Sequence, residues 1–502
     1  MKDGDVENDL PEGKLYLGGE WRTGRGAEIT SVFPADGSLN RVLAGASAED
    51  GEDAIARAKA AQADPAWRGL KPHERARFLY RIADGIEANA QRIARIQSRD
   101  TGKTLRETGA LAASAAGTFR YFGAVLETMD EEITTRRGPS MTLSVHEPLG
   151  VVAAITPWNS PIASDAQKVA PALAAGNAVV LKPASWSPLT ALELARIVDQ
   201  AGLPKGLFSV LPGSGREIGN LLVEHPDIAK VSFTGGTETG RALAVKAAQK
   251  LMPVSLELGG KSPTIVFEDA DMDQALAGVL YGIFSSTGQS CIAGSRLFVQ
   301  RRIYDEFVSR LVAATERLVV GHPFDDATQI GPLIHIDHRA EVAAHVARAL
   351  EDGAELLTGG RAPEGAAYAG GSYYLPTILA GLPNTARLCR DEVFGPVLAV
   401  LPFDDEDDVI AQSNDNEYGL ACGIWTPDFP RAWRVGGAIE AGTVWHNTYK
   451  QFSVSTPFGG DGASGMGREK GRQGLRAYMR QKSFYTDLTG APLPWAGAAV
   501  SS

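Results

Sequence analysis

Cysteine is nearly absent. The 502 residues include three, Cys291, Cys389 and Cys422, odd in number and far apart. That excludes a disulfide framework and suits a reducing compartment. Basic charge is short as well: 49 Lys and Arg against 60 Asp and Glu leave a net charge of −11. No Lys/Arg cluster offsets this, so no nucleic-acid partner is expected. Long apolar runs are missing too, and none approaches the ~18 residues of a membrane span. The start, Met1-Lys2-Asp3-Gly4-Asp5, is acidic where a signal peptide is basic and then apolar. A cytoplasmic protein without a membrane partner is the expectation, and no metal is assigned.

Glycine, by contrast, is plentiful at 56, which suits a fold with many tight strand-to-helix turns. The length exceeds what one hydrophobic core usually serves, so two substantial domains are expected. Leu15 to Trp21 reads as a hairpin and is followed by two helices. The first opens on a capping box of Ser47 and Asp50; the second carries Leu79, Ile82, Ile86, Ala90, Ile93 and Ile96 at helical spacing. Glu132-Ile133-Thr134 and Met141 to Val145 alternate as exposed strands would, an arm that pairs elsewhere. From Val151 to Leu258 strands and helices alternate regularly, implying a parallel doubly wound sheet. A second α/β unit follows Gly259-Gly260-Lys261, with strands such as Leu297 to Gln300 and Val397 to Leu401. The polar first dozen residues read as frayed, and the last thirteen, rich in Ala, Gly, Pro and Ser, read as a tail.

Five apolar runs place the chemistry. Val151 to Thr156, Ala178 to Leu181, Leu207 to Leu211, Ala229 to Phe233 and Pro253 to Leu256 are followed by Asn159, Lys182, Gly213, Gly235 and Glu257. Open α/β sheets bind ligands at those carboxyl ends. Gly213-Ser214-Gly215 is either a nucleotide turn or an ordinary glycine-rich turn. Phe233-Thr234-Gly235-Gly236-Thr237 leads into a helix whose bare amides would suit a pyrophosphate. Lys182 reads as a ribose contact or a solvated loop lysine. Cys291, after the Gly288-Gln289-Ser290 turn, is a candidate nucleophile, whereas Cys389 and Cys422 read as inert core. Glu257 at an apolar strand end is a candidate general base or a buried salt-bridge partner. Asn159 is an oxyanion donor or a cap.

Together these motifs resemble the aldehyde dehydrogenase superfamily over about residues 14–488. The resemblance rests on Pro157-Trp158-Asn159, Lys182-Pro183-Ala184-Ser185, Phe233 to Thr237, Leu256 to Gly260, Gly288 to Cys291, Glu392 to Pro396 and Pro457 to Gly460. It implies a Rossmann-type cofactor domain, an α/β catalytic domain and a small β arm that joins subunits into dimers or tetramers. The divisions expected are 1–127 and 151–258 for the cofactor domain, 128–150 for the arm, 259–463 for the catalytic domain, 464–482 for a return to the cofactor domain and 483–502 for an oligomerisation strand and tail. The implied reaction is NAD(P)-dependent oxidation of an aldehyde to its acid through a thiohemiacetal and thioester on Cys291. Asn159 and the Cys291 N–H would hold the oxyanion, and Glu257 would activate water. Thr156, Trp158, Lys182, Ser185, Gly213, Phe233, Gly235, Gly236, Leu258, Glu392 and Phe394 would hold the cofactor.

Three departures from the family pattern stand out. Ser185 replaces a common Glu, which removes a barrier to a 2′-phosphate and leads to the expectation that NADP is accepted. Gly462 stands where relatives usually have Lys, and Gly236 replaces a usual Ser. By register with the family the substrate walls are Ser160, Ser164, Gln167, Ser285, Ser290, Ile292, Phe452 and Phe458. Several are small and polar, so a larger, polar or aromatic aldehyde is expected, with the phenylalanines stacking on a ring. Gln167 replaces an Arg found with succinic semialdehyde, so a short carboxylated substrate is disfavoured, though a semialdehyde remains the alternative. A cofactor-independent thiol esterase and a silent structural homologue are the rivals from other classes.

Overall fold

The computed structural model describes residues 10–135, 138–491 and 495. The expected frayed start and most of the expected tail lie outside the described residues. Five parallel strands, Phe208–Val210, Ala178–Lys182, Val151–Ile155, Ile228–Thr234 and Val254–Glu257, form in that spatial order the centre of an eight-stranded sheet. The hairpin Leu15–Leu17 and Glu20–Arg22 covers one edge antiparallel, and Gly465–Met466 covers the other. The runs are apolar throughout because the central strands are buried along their length; helices on the faces leave no side for water. Those helices are Pro161–Ala174, Leu189–Gln200, Asn220–Glu224 and Thr237–Gln249.

A second sheet of seven strands runs in the order Glu355–Thr358, Thr377–Ala380, Val397–Phe403, Arg296–Gln300, Pro263–Val266, Ala421–Trp425 and Thr443–His446. All its pairs are parallel except the first. The exposed strands pair as expected. Ser140–Pro148 lies between Glu132–Ile133 and Met479–Asp487, in register from Met479 opposite Pro148 to Asp487 opposite Ser140.

The N-terminal region holds more than the two helices and one hairpin expected. Glu28–Val32 and Leu39–Ala44 form a further hairpin. The single helix read through Leu79 and Ile96 is two, Pro72–Ala88 and Ala90–Thr101. Asn89 breaks it by donating its side-chain amide to the Gly85 carbonyl at 2.7 Å, satisfying an orphan carbonyl of the last turn. The helix Leu105–Glu127 was not expected: its stretch of alanines and glycines from Gly109 to Gly117 blurs the apolar period. Its start is nonetheless marked by a capping box of Thr104 and Glu107.

One buried side chain ties the sheet to the returning C-terminal segment. Asn177 accepts from the Gly150 N–H at 2.8 Å and donates to the carbonyls of Ala172 and Tyr478, each at 3.0 Å. Truncation would take the side-chain partner from the Gly150 N–H and the Tyr478 carbonyl in a dry environment, while the Ala172 carbonyl would keep the Asn177 backbone N–H at 3.0 Å. Asn177→Ala is expected to lose about 2–4 kcal/mol of stability, read as a fall in the urea midpoint with an unchanged slope; a midpoint equal to wild type would refute this role.

Candidate active site

Asn159, Lys182, Gly213, Gly235 and Glu257 all stand at or just beyond the carboxyl ends of the parallel strands. Cys291 arrives from the other sheet. The helix Met272–Phe284 ends in a tight turn in which Ser286 and Thr287 are left-handed, at φ 58° and 56°. Side chains pin that turn. The Ser286 N–H donates to Glu107 at 2.6 Å and the Thr287 hydroxyl to the Gly331 carbonyl at 3.0 Å. Gly288 follows at φ +69°, where a Cβ would sit 2.1 Å from the Gly395 carbonyl. The Asn159 amide donates to the Gln289 carbonyl at 3.0 Å, so it faces the thiol's turn and caps no helix.

Cys291, Glu257 and Asn159 open onto one cavity of about 470 Å³, and all eight expected substrate residues line it. Six ionisable or aromatic neighbours were not foreseen: Lys103, Glu107, Tyr281, Lys450, Glu469 and Lys470. Cys291 keeps part of its surface open, while Cys389 and Cys422 are buried. Two expectations change. Ser285 is not a free polar wall, since its hydroxyl donates to the Tyr281 carbonyl at 2.6 Å and accepts from Lys450 at 2.8 Å. Phe452 and Phe458 share the Lys470 ammonium, which lies 4.0 and 5.2 Å from their ring centres, so a substrate ring would stack beside a cation.

Burial dominates the electrostatics. Glu257 is held well above the ordinary carboxylate range by burial and by the charge of Glu469, against the pull of Lys168, Arg468 and Lys470. One of its oxygens has no hydrogen-bond partner among the described residues, which leaves it free to face the cavity. Glu469 is instead paired with Lys168 at 2.5 Å. Burial, then Glu392 and Glu257, push the Cys291 thiol up to about 12, with Lys450 pulling the other way.

The adjoining face holds the expected cofactor residues. Gly236 caps the helix Thr237–Gln249 without a side-chain hydrogen bond, and a Cβ there would meet nothing within 4 Å. That leaves bare amides facing open space, which fits a pyrophosphate. Phe233 packs beneath Gly235, and Leu258 packs on Gly240. The Thr156 N–H donates to the Lys182 carbonyl at 3.1 Å. Lys182 is buried, not solvated; its ammonium donates to the Pro183 carbonyl at 3.0 Å. The Ser185 hydroxyl donates to the Gly213 carbonyl at 3.2 Å, beside a cleft of about 270 Å³ that Trp186, Ser214 and Glu217 also line. Gly213 itself leads into a π-helical turn, Gly215–Gly219, capped by Ser214. Glu392 accepts from the Gly260 N–H at 3.0 Å and is pushed up to about 7 by burial. Phe394 meets Trp158 edge-on at 5.1 Å, and His338 holds the Phe394 carbonyl at 2.9 Å. His338, Trp186 and His335, the last two stacked at 5.3 Å, carried no motif that would have marked them.

A thiol and a base from two parallel-sheet units, beside an uncapped helix start, define a nucleotide-linked α/β oxidoreductase. The Aldehyde dehydrogenase family profile matches residues 21–484. The chain is 44% identical over 487 residues to a betaine aldehyde dehydrogenase of Mesorhizobium japonicum, covering 97% of this chain and 99% of the relative. A betaine aldehyde dehydrogenase of Rhizobium etli is 43% identical over 488 residues, covering 97% of this chain and 99% of that one. The crystal structure of the Staphylococcus aureus betaine aldehyde dehydrogenase in complex with NAD+ superposes with a TM-score of 0.95 at 33% identity, covering 98% of this chain and 99% of that one. The chain belongs to the aldehyde dehydrogenase family, and it is an oxidoreductase acting on aldehydes.

The raised thiol gives a direct test. Thiolate is the reactive form, so alkylation of Cys291 by iodoacetamide in the cofactor-free protein should climb steadily from pH 7 to 10 without a plateau. Peptide mass spectrometry should find Cys389 and Cys422 unmodified; a rate already maximal at pH 7 would contradict the assigned environment.

Proposed function

We propose that the protein oxidises a polar aldehyde to its carboxylic acid with NAD or NADP, through a covalent intermediate on Cys291. The observation that carries this reading is the convergence of Cys291, Glu257 and Asn159 on one cavity beside the open helix start at Gly236. The residues present fit a nicotinamide dinucleotide. Gly236 and the first turn of the helix Thr237–Gln249 would take the pyrophosphate, the Gly235 N–H being given to the Glu257 carbonyl at 3.1 Å; Lys182 and Ser185 would take the adenosine ribose, and Trp158, Glu392 and Phe394 the nicotinamide end. When bound, that cofactor supplies the hydride acceptor.

The chain's own residues do the rest. After the thiol proton has passed to water, the Cys291 thiolate adds to the aldehyde carbon, and the Asn159 amide with the Cys291 N–H receives the negative charge formed on oxygen. Loss of hydride leaves a thioester on Cys291. Glu257 takes a proton from water, the hydroxide adds to the thioester carbon, and the carboxylic acid leaves as the thiol is restored. Burial prepares Glu257 for this, since a base is most useful near neutral pH and its environment raises it from the ordinary range. A thiol esterase without cofactor would leave the cradle at Gly236 without purpose, so that rival is set aside.

Two further parts of the reading follow. Ser185 puts no carboxylate at the ribose, which supports use of NADP as well as NAD. The arm carries exposed Ile133 on one edge strand and exposed Phe484 and Tyr485 on the other, which supports pairing with a second copy in a dimer or tetramer. The division into a cofactor domain, a catalytic domain and an arm at residues 128–150 and 483–502 belongs to the same proposal, as does a cytoplasmic location. Among the described residues no helix is long and apolar enough to cross a membrane.

Glu257→Gln should let hydride transfer occur once and then stall, visible as a stoichiometric burst of NAD(P)H followed by a rate about 10²–10⁴-fold below wild type. In wild type, deacylation should rise with pH as Glu257 loses its proton, and the variant should lose that rise; full turnover in Glu257→Gln would remove the base assignment. Separately, NADP should support turnover with kcat/KM within about tenfold of NAD, while undetectable reduction of NADP would assign the protein to NAD alone.

A further inference from the structure

The cavity beside Cys291 carries more cations than oxidation of an aldehyde requires. Lys103 and Lys470 are 4% and 7% exposed, Lys450 is partly buried, and all three line it. The three carboxylates in the same walls are already committed. Glu107 receives the Ser286 N–H at 2.6 Å through one oxygen and the Thr104 N–H at 3.2 Å through the other. Glu469 pairs with Lys168, and Glu257 is held toward its neutral form. None of the three lysines makes an ion pair among the described residues.

What the lysines do instead is informative. Lys450 donates to the Ser285 hydroxyl at 2.8 Å, at the end of the cavity that adjoins a second hollow of about 540 Å³ lined by Tyr281 and Glu107. Lys470 covers Phe452 and Phe458. The protein's own ammonium already lies over Phe452 and Phe458, and a cationic aldehyde would enter beside three lysines whose protonation it would oppose. Burial and then the charge of Lys103 push Lys450 down to about 7, and burial pushes Lys103 down to about 8. The charge of Glu107 pulls both groups the other way without reversing either shift, and its two oxygens are already held by the Ser286 and Thr104 N–H groups.

We infer that the aldehyde oxidised at Cys291 carries a carboxylate or similar oxyanion at its far end, and that Lys450, with Lys103, receives it beside Ser285. This rests on the reading of Cys291 as the nucleophile. Gln167 supplies no charge, but the cations come from elsewhere: Lys103 precedes the helix Leu105–Glu127 and Lys450 follows the strand Thr443–His446. An anion there gains a charge-assisted hydrogen bond in a partly dry site, whereas a trimethylammonium group gains none.

The experiment compares a six-carbon ω-carboxylated aldehyde, its methyl ester and betaine aldehyde in wild type, Lys450→Met and Lys450→Arg. Wild type should prefer the acid to the ester by about tenfold or more in kcat/KM. Lys450→Met should bring that ratio near one through KM, and Lys450→Arg should restore most of it. A wild-type ratio near one, or preference for betaine aldehyde, overturns the inference. So do equal losses for acid and ester in Lys450→Met, which would place Lys450 on the thiol and not on the substrate. A second measurement needs no turnover: adipate should slow iodoacetamide modification of Cys291 in wild type and tetramethylammonium should not, and the reverse order overturns the assignment. If adipate protects while no aldehyde is oxidised, the proposed reaction fails and the anion site stands. Oxidation without preference, and without protection by adipate, removes the anion site alone.

Discussion

The outer edge of the strand Val254–Glu257 is the seam on which the site depends. It is the last parallel strand of the first sheet, and the chain returns from the second sheet to cover it: Gly465 and Met466 pair with Glu257 and Leu256. Only glycine fits at Gly465, at φ +134°, where a Cβ would stand 2.0 Å from the Leu256 carbonyl. Ser464 fastens the crossing, donating to the Gly259 carbonyl at 2.7 Å and accepting from the Gly419 N–H at 3.1 Å. Five residues beyond Ser464, the same segment delivers Glu469 to Lys168. Closing the sheet edge, burying Glu257 and placing a second carboxylate near it are thus one structural act. Gly462 belongs to the same return: at φ +60°, with the Glu417 carbonyl 2.7 Å from a would-be Cβ, it is where a lysine would be strained.

Burial at that seam explains the chemistry better than any single contact. A carboxylic acid and a thiol both prefer their neutral forms in a dry cavity, and Glu257, Glu392 and Cys291 are all shifted that way. Neutral Glu257 and neutral Cys291 can lie near one another without the repulsion that two anions would suffer. The lysines in the same walls are shifted in the opposite sense for the same reason. The resting cavity therefore holds latent acid, base and cation, each one proton from its charged form.

Much of this was legible in the sequence, for a physical reason. Strands buried on both faces must be apolar along their length, so the first polar residue after each one stands out, and Asn159, Lys182 and Glu257 were visible as interruptions. Cys291 was visible because a thiol is rare in this chain. Lys103, Glu107, Lys450 and Glu469 were not visible, because each is an ordinary polar residue in its local segment and acquires meaning only when three distant segments meet. The same limit hid the break at Asn89: apolar spacing continues across it, and one side-chain amide decides that the helix stops.

Backbone strain follows the same geography. Seven non-glycine residues among those described have positive φ, and five of them, Ser286, Thr287, Phe394, Lys450 and Lys470, line the cavity or its cofactor side or sit in the turn before Cys291. Each such residue costs roughly 1–3 kcal/mol and persists only where its surroundings over-determine it. Those surroundings can be named for several: Glu107 and Gly331 hold the turn before Cys291, His338 holds the Phe394 carbonyl, and Ser285 holds the Lys450 ammonium. Glu107 ties the two effects together, since one of its oxygens caps the helix Leu105–Glu127 and the other fixes the turn that aims the thiol. A helix cap far from Cys291 in sequence is thereby part of what positions it, and the strain that the fold tolerates is concentrated where orientation of a few atoms matters most.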